Sequence, residues 1–172
     1  MVSIIKANAD SIPIIKQLAH LTWQVTYKEI LSAEQIDYML HLFYDEASLQ
    51  KQIEQAHQFI LAVENKEVVG FASYAPKKEN DPSVYKLHKI YVHPAQQGKS
   101  IGKILLNYII DEIKSKKATA LELNVNRYNK ALSFYRKNGF EIIDEEGFIV
   151  ATSEATQNTQ GGAAQRSAGV TV

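Results

Sequence analysis

The chain has 172 residues, of which 45% are hydrophobic and 22% are charged, a composition typical of a globular protein with a substantial core. Nineteen basic side chains balance nineteen acidic ones, so the net charge favours neither nucleic acid nor a membrane as a partner and does not oppose a homodimer. There is no cysteine, which excludes disulfides, thiolate metal ligands and cysteine nucleophiles. Because no targeting segment or membrane-length apolar run is present, we expect a cytoplasmic protein.

The first third of the chain predicts one short strand followed by helices. Residues 2–6 form the strand, and Pro13 is tolerated in the first turn of the helix that follows. Ser32 and Gln35 have the spacing of a capping box at the start of a second helix, and a third begins near Asp45.

The hydrophobic period then changes to that of strands. Residues 59–63 and 68–74 predict a hairpin that turns at residues 65–66, and Gly70 indicates a bulge or a close backbone approach. A third strand, residues 84–92, completes a meander and is stopped by Pro94.

A short turn containing glycine connects this strand to an amphipathic helix. The turn spans residues 96–103 and includes Gly98 and Gly102, and apolar residues recur at helical spacing after it. A helix that starts in this way presents unpaired N–H groups at the positive end of its dipole. The sequence therefore predicts an anion site, of the kind that holds phosphate, at this turn.

The last third predicts a strand at residues 121–125, a helix at 129–138 ended by Gly139, and a strand at 140–143. From about Thr152 the sequence consists mostly of Ser, Thr, Gln, Gly and Ala, and we expect it to be flexible. After residue 143, only residues 147–150 remain as a candidate for a further strand.

Two motifs, in order and with a strand between them, resemble the GCN5-related N-acetyltransferase family. Residues 90–94 (Ile-Tyr-Val-His-Pro) followed by 97–102 (Gln-Gly-Lys-Ser-Ile-Gly) resemble its acyl-CoA-binding loop, with Ser100 where a glycine is usual. Residues 129–140 resemble its later motif, an Asn followed by a helix that ends in Tyr-x-x-x-Gly-Phe. The segments 22–27 and 30–32 are also similar to bacterial spermidine/spermine N-acetyltransferases.

The resemblance covers about residues 1–150 and implies a fold of class α/β (α+β). We expect one acyl-CoA N-acyltransferase domain, with a mostly antiparallel mixed sheet that is splayed at its centre and flanked by helices, and a flexible tail over 151–172. The implied reaction moves an acetyl group from acetyl-CoA, the co-substrate, to a primary amine of a small polyamine-like or amino-acid-like molecule by direct attack. No metal is implied, and His20, His41, His57 and His93 show no metal-ligand spacing.

The family's site residues carry over only where this sequence matches its motifs. Tyr135 corresponds to the acid that protonates the leaving thiolate, and Asn126 and Asn129 are rival candidates for the asparagine that contacts the cofactor. The residues assigned to acetyl-CoA binding are Ile90, Tyr91, Val92, Gln97, Gly98, Lys99, Ser100, Ile101, Gly102, Lys103, Asn126, Asn129 and Tyr135.

The base and the acceptor site are less constrained by the motifs. The strand before the loop carries no carboxylate, so the candidates for the base are His88, on its intrinsic pKa, and Glu122 on the next strand. Trp23, Tyr27 and Tyr85 are the candidates for lining the acceptor site. The alternative function is a non-catalytic CoA-binding or sensing module. Two features would favour it: Ser100, and the expected lack of the final pair of strands that domains of this family usually possess.

Overall fold

The computed structural model describes residues 1–29, 31–126, 131–142 and 165–171. Its strands are β1 (Ser3–Lys6), β2 (Gln58–Glu64), β3 (Glu67–Lys78), β4 (Asp81–Val92), β5 (Ala120–Asn126), β6 (Glu141–Ile142) and β7 (Gln165–Thr171). Its α-helices are α1 (Ile12–Tyr27), α2 (Ala33–Tyr44), α3 (Glu46–Glu54), α4 (Ile101–Ser115) and α5 (Ala131–Lys137). Among the described residues, none of the helices is long and apolar enough to cross a membrane.

The strands form a mixed sheet with the order β1-β2-β3-β4-β5-β7-β6. Pairing is antiparallel for β1 with β2, β2 with β3, β5 with β7 and β6 with β7, and parallel for β4 with β5. The parallel ladder joins Val84–Leu87 to Ala120–Leu123 and ends there, although both strands continue. The predicted α+β class, with a mostly antiparallel mixed sheet and flanking helices, is confirmed.

The chain divides into two compact units, and β3, β4 and α4 contribute residues to both. The first unit contains Met1–Tyr74 and Lys89–Tyr108, and the second contains Ala75–His88 and Ile109–Val172. Within the first unit, helices α1, α2 and α3 cover β2 and β3 with buried apolar side chains, among them Ile15, Leu40 and Phe71. Burial of this apolar surface is the main favourable contribution to the stability of the unit.

The predicted start of α2 and the predicted turn between β2 and β3 are both present in the structure. Ser32 Oγ accepts from the Gln35 N–H at 3.1 Å, and the Ser32 N–H donates to Gln35 Oε1 at 2.9 Å, which completes the capping box of α2. The β2–β3 hairpin turns at Asn65 and Lys66, whose φ angles of 52° and 65° are those of a primed turn.

Gly70 lies at a register shift where β3 also approaches β4. The β2–β3 ladder is irregular between Ala62 and Val63, and Ala62 is the partner of Gly70. A Cβ on Gly70 would lie 2.9 Å from the carbonyl oxygen of Tyr91, a distance that real Cβ atoms do not tolerate. Both parts of the prediction for this glycine are confirmed, because the chain has a bulge and a close backbone approach at the same place.

The C-terminal part differs from the prediction. Gln165–Thr171 forms β7, which pairs antiparallel with β5 along its whole length and with β6 at Glu141 and Ile142. The expectations of a tail that is flexible throughout 151–172, and of a fold that ends at 150 without a final pair of strands, are therefore wrong. The sequence of β7 carries no hydrophobic alternation; its strand structure comes from backbone hydrogen bonds to β5, which lies far away in the sequence. Residues 147–150 and 152–164 lie outside the described residues.

Candidate functional site

The turn before α4 has the backbone geometry that an anion site needs. Gly98 has a φ of 87° and Ser100 a φ of 63°, and both residues are exposed. The first helical hydrogen bond of α4 runs from the Ile104 N–H to the Ser100 carbonyl at 3.0 Å. Helix geometry therefore leaves the N–H groups of residues 101–103 without an acceptor inside the helix. These amides lie at the positive end of the dipole of α4, where phosphate oxygens are stabilised.

Ser100 stands where the resemblance leads one to expect a glycine, and its backbone adopts a conformation that glycine favours. Its φ lies in the left-handed region, which residues with a Cβ enter only at some energetic cost. Gly98 also has a φ in the left-handed region. A Cβ there would meet no atom within 4 Å, so the backbone angle alone disfavours other residues at this position.

Side-chain hydrogen bonds hold the residues before α4 in place. Gln97 Nε2 donates to the Val92 carbonyl at 3.4 Å, and Lys99 Nζ donates to Gln96 Oε1 at 2.8 Å. Ile101 is buried, with 1% of the residue exposed, and its side chain anchors the start of α4 in the first unit. Ile101 can therefore contribute to a phosphate site only through its backbone.

An aromatic cluster of the first unit joins the end of β4 to α1. The ring centroids of Trp23 and Tyr27 are 4.4 Å apart, and those of Trp23 and Tyr91 are 6.5 Å apart. Tyr91 also lies 6.3 Å from Tyr44 and 5.5 Å from Phe71. The structure thus brings together two predicted acceptor residues and one predicted cofactor residue, and it places Trp23, 7% exposed, in the core.

Lys89 is a buried charged residue of β4 that the sequence analysis did not single out. Only 8% of it is exposed, and burial lowers the pKa of its amine to about 8. Nζ donates to Gln52 Oε1 at 2.7 Å and lies 5.2 Å from the ring centroid of Tyr44. The pattern of hydrophobic residues does not predict the burial of Lys89, because a lysine in a strand normally indicates a solvent-facing position.

In the second unit, one face of β4 and β5 carries both candidates for the base. Lys86 is the register partner of Glu122, and His88 follows Lys86 by two residues, so all three lie on one face of the sheet. Glu122 is buried and accepts a 2.7 Å ion-pair hydrogen bond from Lys77, whereas His88 is exposed. Tyr85 lies on the opposite face, where burial raises the pKa of its hydroxyl.

Tyr135 lies near the end of α5 in a motif whose spacing has a structural reason. Gly139, with a φ of 92°, ends the helix, and the Phe140 N–H donates to the Tyr135 carbonyl at 3.0 Å. The rings of Tyr135 and Phe140 are 5.6 Å apart. This is a Schellman cap with its usual apolar contact, which accounts for the spacing Tyr-x-x-x-Gly-Phe. The same contacts bury Tyr135, which is 8% exposed.

The remaining predicted site residues are less fully described. Asn126 ends β5, and Asn129 lies outside the described residues. Within the part of the chain that the structure describes, no three His, Asp or Glu side chains are grouped so that they could hold a metal ion.

Comparison with known protein families assigns the chain to a family. A family model described as an acetyltransferase (GNAT) domain matches residues 27–153, most of the chain. The chain belongs to the GNAT acetyltransferases. The resemblance stated from the two motifs is confirmed, and so is the prediction that the chain is an N-acetyltransferase enzyme.

Two similar proteins are named as acetyltransferases, and a solved structure shares the fold. Spermidine N(1)-acetyltransferase from Thermoplasma acidophilum is 28% identical over 155 residues, which cover 85% of this chain and 92% of the relative. An L-methionine sulfoximine/L-methionine sulfone acetyltransferase from Salmonella typhimurium is 32% identical over 85 residues, 48% of this chain and 50% of the relative. The crystal structure of PaiA N-acetyltransferase from Thermoplasma acidophilum in complex with coenzyme A superposes with a TM-score of 0.83 at 23% identity, covering 100% of this chain and 99% of that one.

Proposed function

We propose that this GNAT protein transfers the acetyl group of acetyl-CoA directly to a primary amine of a small polyamine-like or amino-acid-like molecule. The observation that carries the proposal is the exposed turn at Gly98 and Ser100, whose two positive φ angles precede the free amides of α4. The names of the relatives, which include a spermidine and an amino-acid-derivative acetyltransferase, support this acceptor class.

The turn fits the pyrophosphate of the donor. The amides of residues 101–103 would donate hydrogen bonds to its oxygens, and the dipole of α4 would stabilise its charge. The side chains of Lys99 and Lys103 are exposed beside these amides and add positive charge. Gln97, bonded to the Val92 carbonyl, would keep the turn in register with β4.

The reaction breaks the C–S bond of the thioester and forms a C–N bond to the amine. As the nitrogen attacks, negative charge develops on the carbonyl oxygen, and a backbone N–H in the segment 90–92 would stabilise it. Such a donor contributes about 2.7–4 kcal/mol to lowering the barrier.

Three proton transfers complete the balance of the reaction. Tyr135 would donate its phenol proton to the departing sulfur, because an ordinary phenol remains protonated at neutral pH. The acceptor arrives as an ammonium and must lose a proton to a base before its nitrogen can attack, and we assign this role to His88, with Glu122 as second candidate. The nitrogen loses its second proton as the amide forms, and this proton would restore the phenol of Tyr135. Glu122 is already engaged with Lys77 at 2.7 Å, and this ion pair would have to separate before the carboxylate could accept a proton.

The proposal is tested by two linked measurements. Isothermal titration with acetyl-CoA should give saturable binding, and detection of released thiol should reveal turnover with members of a panel of amines, amino acids and peptides. Absence of binding at millimolar acetyl-CoA would end the proposal. Binding without turnover on any amine would favour the non-catalytic module instead.

A further inference from the structure

Three charged side chains meet on one face of the second unit. Lys77 on β3 forms an ion pair with Glu122 on β5 at 2.7 Å, with side-chain exposures of 24% and 7%. Lys86 on β4, between these strands, is the register partner of Glu122. We call Lys77, Lys86 and Glu122 the lysine pair site.

Lys86 differs from its neighbours because its charge is not matched. It is half-buried, and within the described residues its ammonium has no hydrogen-bond or ion-pair partner. Its pKa is lowered, first by burial and then by the charge of Lys77, while Glu122 opposes the shift. A half-buried ammonium without a partner is unfavourable, and an anionic ligand would relieve this cost.

The charge balance of the lysine pair site indicates that its ligand carries a negative charge. Two ammonium groups surround one carboxylate, and that carboxylate already accepts from Lys77. A third positive charge would be repelled, whereas a carboxylate would complete the pairing with a charge-assisted hydrogen bond. On β7, the register partner of Glu122 is Gly169, a residue without a side chain that could fill this role.

The lysine pair site lies beside the candidate base. His88 follows Lys86 by two residues on the same face, a distance of about 6.6 Å along a strand. Both side chains are long enough for one small molecule to contact them together. An acceptor whose amine faces His88 would therefore present an adjacent group to Lys86.

We infer that Lys86 binds the carboxylate of the acceptor, and that the preferred substrates are amino acids or close derivatives and not polyamines. This inference rests on the proposed N-acetyltransferase function and narrows its acceptor class. Lys77 and Glu122 act as positioning residues, because the ion pair between them keeps the only nearby carboxylate among the described residues from neutralising Lys86.

The test compares amino acids with their own decarboxylated amines as acceptors. Suitable pairs are lysine with cadaverine, phenylalanine with phenethylamine and methionine with 3-methylthiopropylamine. The variants are Lys86→Met, the charge-conserving Lys86→Arg and, as matched control, Lys78→Met, which removes an exposed lysine of β3. The measurement is kcat and KM from thiol release, with thermal melting as a check on folding.

The wild-type protein should prefer the amino acid in at least one pair. Lys86→Met should raise KM for that amino acid by about tenfold or more and change KM for the decarboxylated amine much less, so that the ratio of the two kcat/KM values falls by about tenfold. Lys86→Arg should keep most of the preference, and Lys78→Met all of it. If Lys86→Met fails to fold, Lys86→Gln takes its place with the same expectation.

Two results would overturn the inference while leaving the proposed function intact. One is a wild-type preference for the decarboxylated amine in every pair, and the other is an amino-acid preference that survives Lys86→Met. Failure of every acceptor, with acetyl-CoA still bound, would instead overturn the proposed function and this inference with it.

Discussion

Lys89 on β4 and Gln52 on α3 form a partly buried hydrogen bond of 2.7 Å between Nζ and Oε1. Gln52 passes the connection on, because its Nε2 donates to the carbonyl of Phe43 at 2.8 Å. The rings of Tyr44 and Phe59 lie 5.2 Å and 5.8 Å from the ammonium and provide the remaining stabilisation. Lys89 thus links a strand that leads to the proposed donor site to helix α3 of the first unit.

The buried amine of Lys89 makes stability depend on pH. Its folded pKa of about 8 lies below the ordinary value of 10.5, so below pH 8 the folded state carries the whole penalty of a buried charge. Stability should rise by about 2 kcal/mol from pH 7 to pH 9.5, as the folded state releases the proton while the unfolded state retains it. Lys86, whose pKa is also lowered, contributes in the same direction.

Urea denaturation of Lys89→Met at pH 7 and pH 9.5 checks this expectation. The variant should lose most of the rise, because Met fills the volume without a charge. Lys114→Met, which removes an exposed lysine of α4, should retain the rise in full. An identical pH dependence in wild type and Lys89→Met would show that Lys89 is not the group responsible.

Replacing Ser100 by glycine should stabilise the turn. Ser100 has a φ of 63°, which glycine adopts without steric cost, and the expected gain is about 1 kcal/mol. Such a gain corresponds to a rise in Tm of roughly 2–4 °C. Acetyl-CoA affinity, measured by titration, should be unchanged or higher.

Gly98→Ala provides the matched opposite change. Its φ of 87° disfavours alanine although no atom lies within 4 Å of the added Cβ, so Tm should fall through the backbone alone. Loss of acetyl-CoA binding in Ser100→Gly would mean that the serine hydroxyl contacts the donor, and would contradict a purely conformational account.

Tyr135→Phe distinguishes the proposed role of the hydroxyl as an acid from the role of the ring in packing. The ring contacts with Phe134 and Phe140, at 5.4 Å and 5.6 Å, remain in the variant, and only the hydroxyl is lost. We expect kcat to fall by roughly 10²-fold or more, with acetyl-CoA affinity nearly unchanged. Tyr38→Phe, at an exposed position of α2, is the control and should leave kcat as it is. A normal kcat in Tyr135→Phe would remove the tyrosine from the proton transfer.

His88→Ala and Glu122→Gln discriminate between the two candidate bases. If His88 is the base, His88→Ala should lower kcat at neutral pH and remove the corresponding ionisation from the pH–rate profile. Glu122→Gln should mainly lower stability, since it leaves Lys77 and Lys86 together without a carboxylate. The reverse pattern, with the ionisation lost in Glu122→Gln and kept in His88→Ala, would transfer the role to Glu122.

The sequence by itself determined the features that depend on neighbouring residues. Ser32 and Gln35 close a capping box, Asn65 and Lys66 turn a hairpin, and Gly139 ends α5. Each follows from backbone angles and short-range hydrogen bonds, which a residue type and its spacing specify. The two motifs that carry the family resemblance belong to this class, and they sufficed to predict the family and the fold class.

Only the tertiary structure decided the features whose partners are distant in the sequence. Lys89 reaches Gln52 across 37 positions and Lys77 reaches Glu122 across 45, so neither pair leaves a local pattern. β7 is a strand because β5 and β6 offer it backbone partners, although its own residues predict none. Burial and pairing of this kind depend on which strands lie side by side. That arrangement is determined by the free energy of the whole fold and not by the residues of one strand.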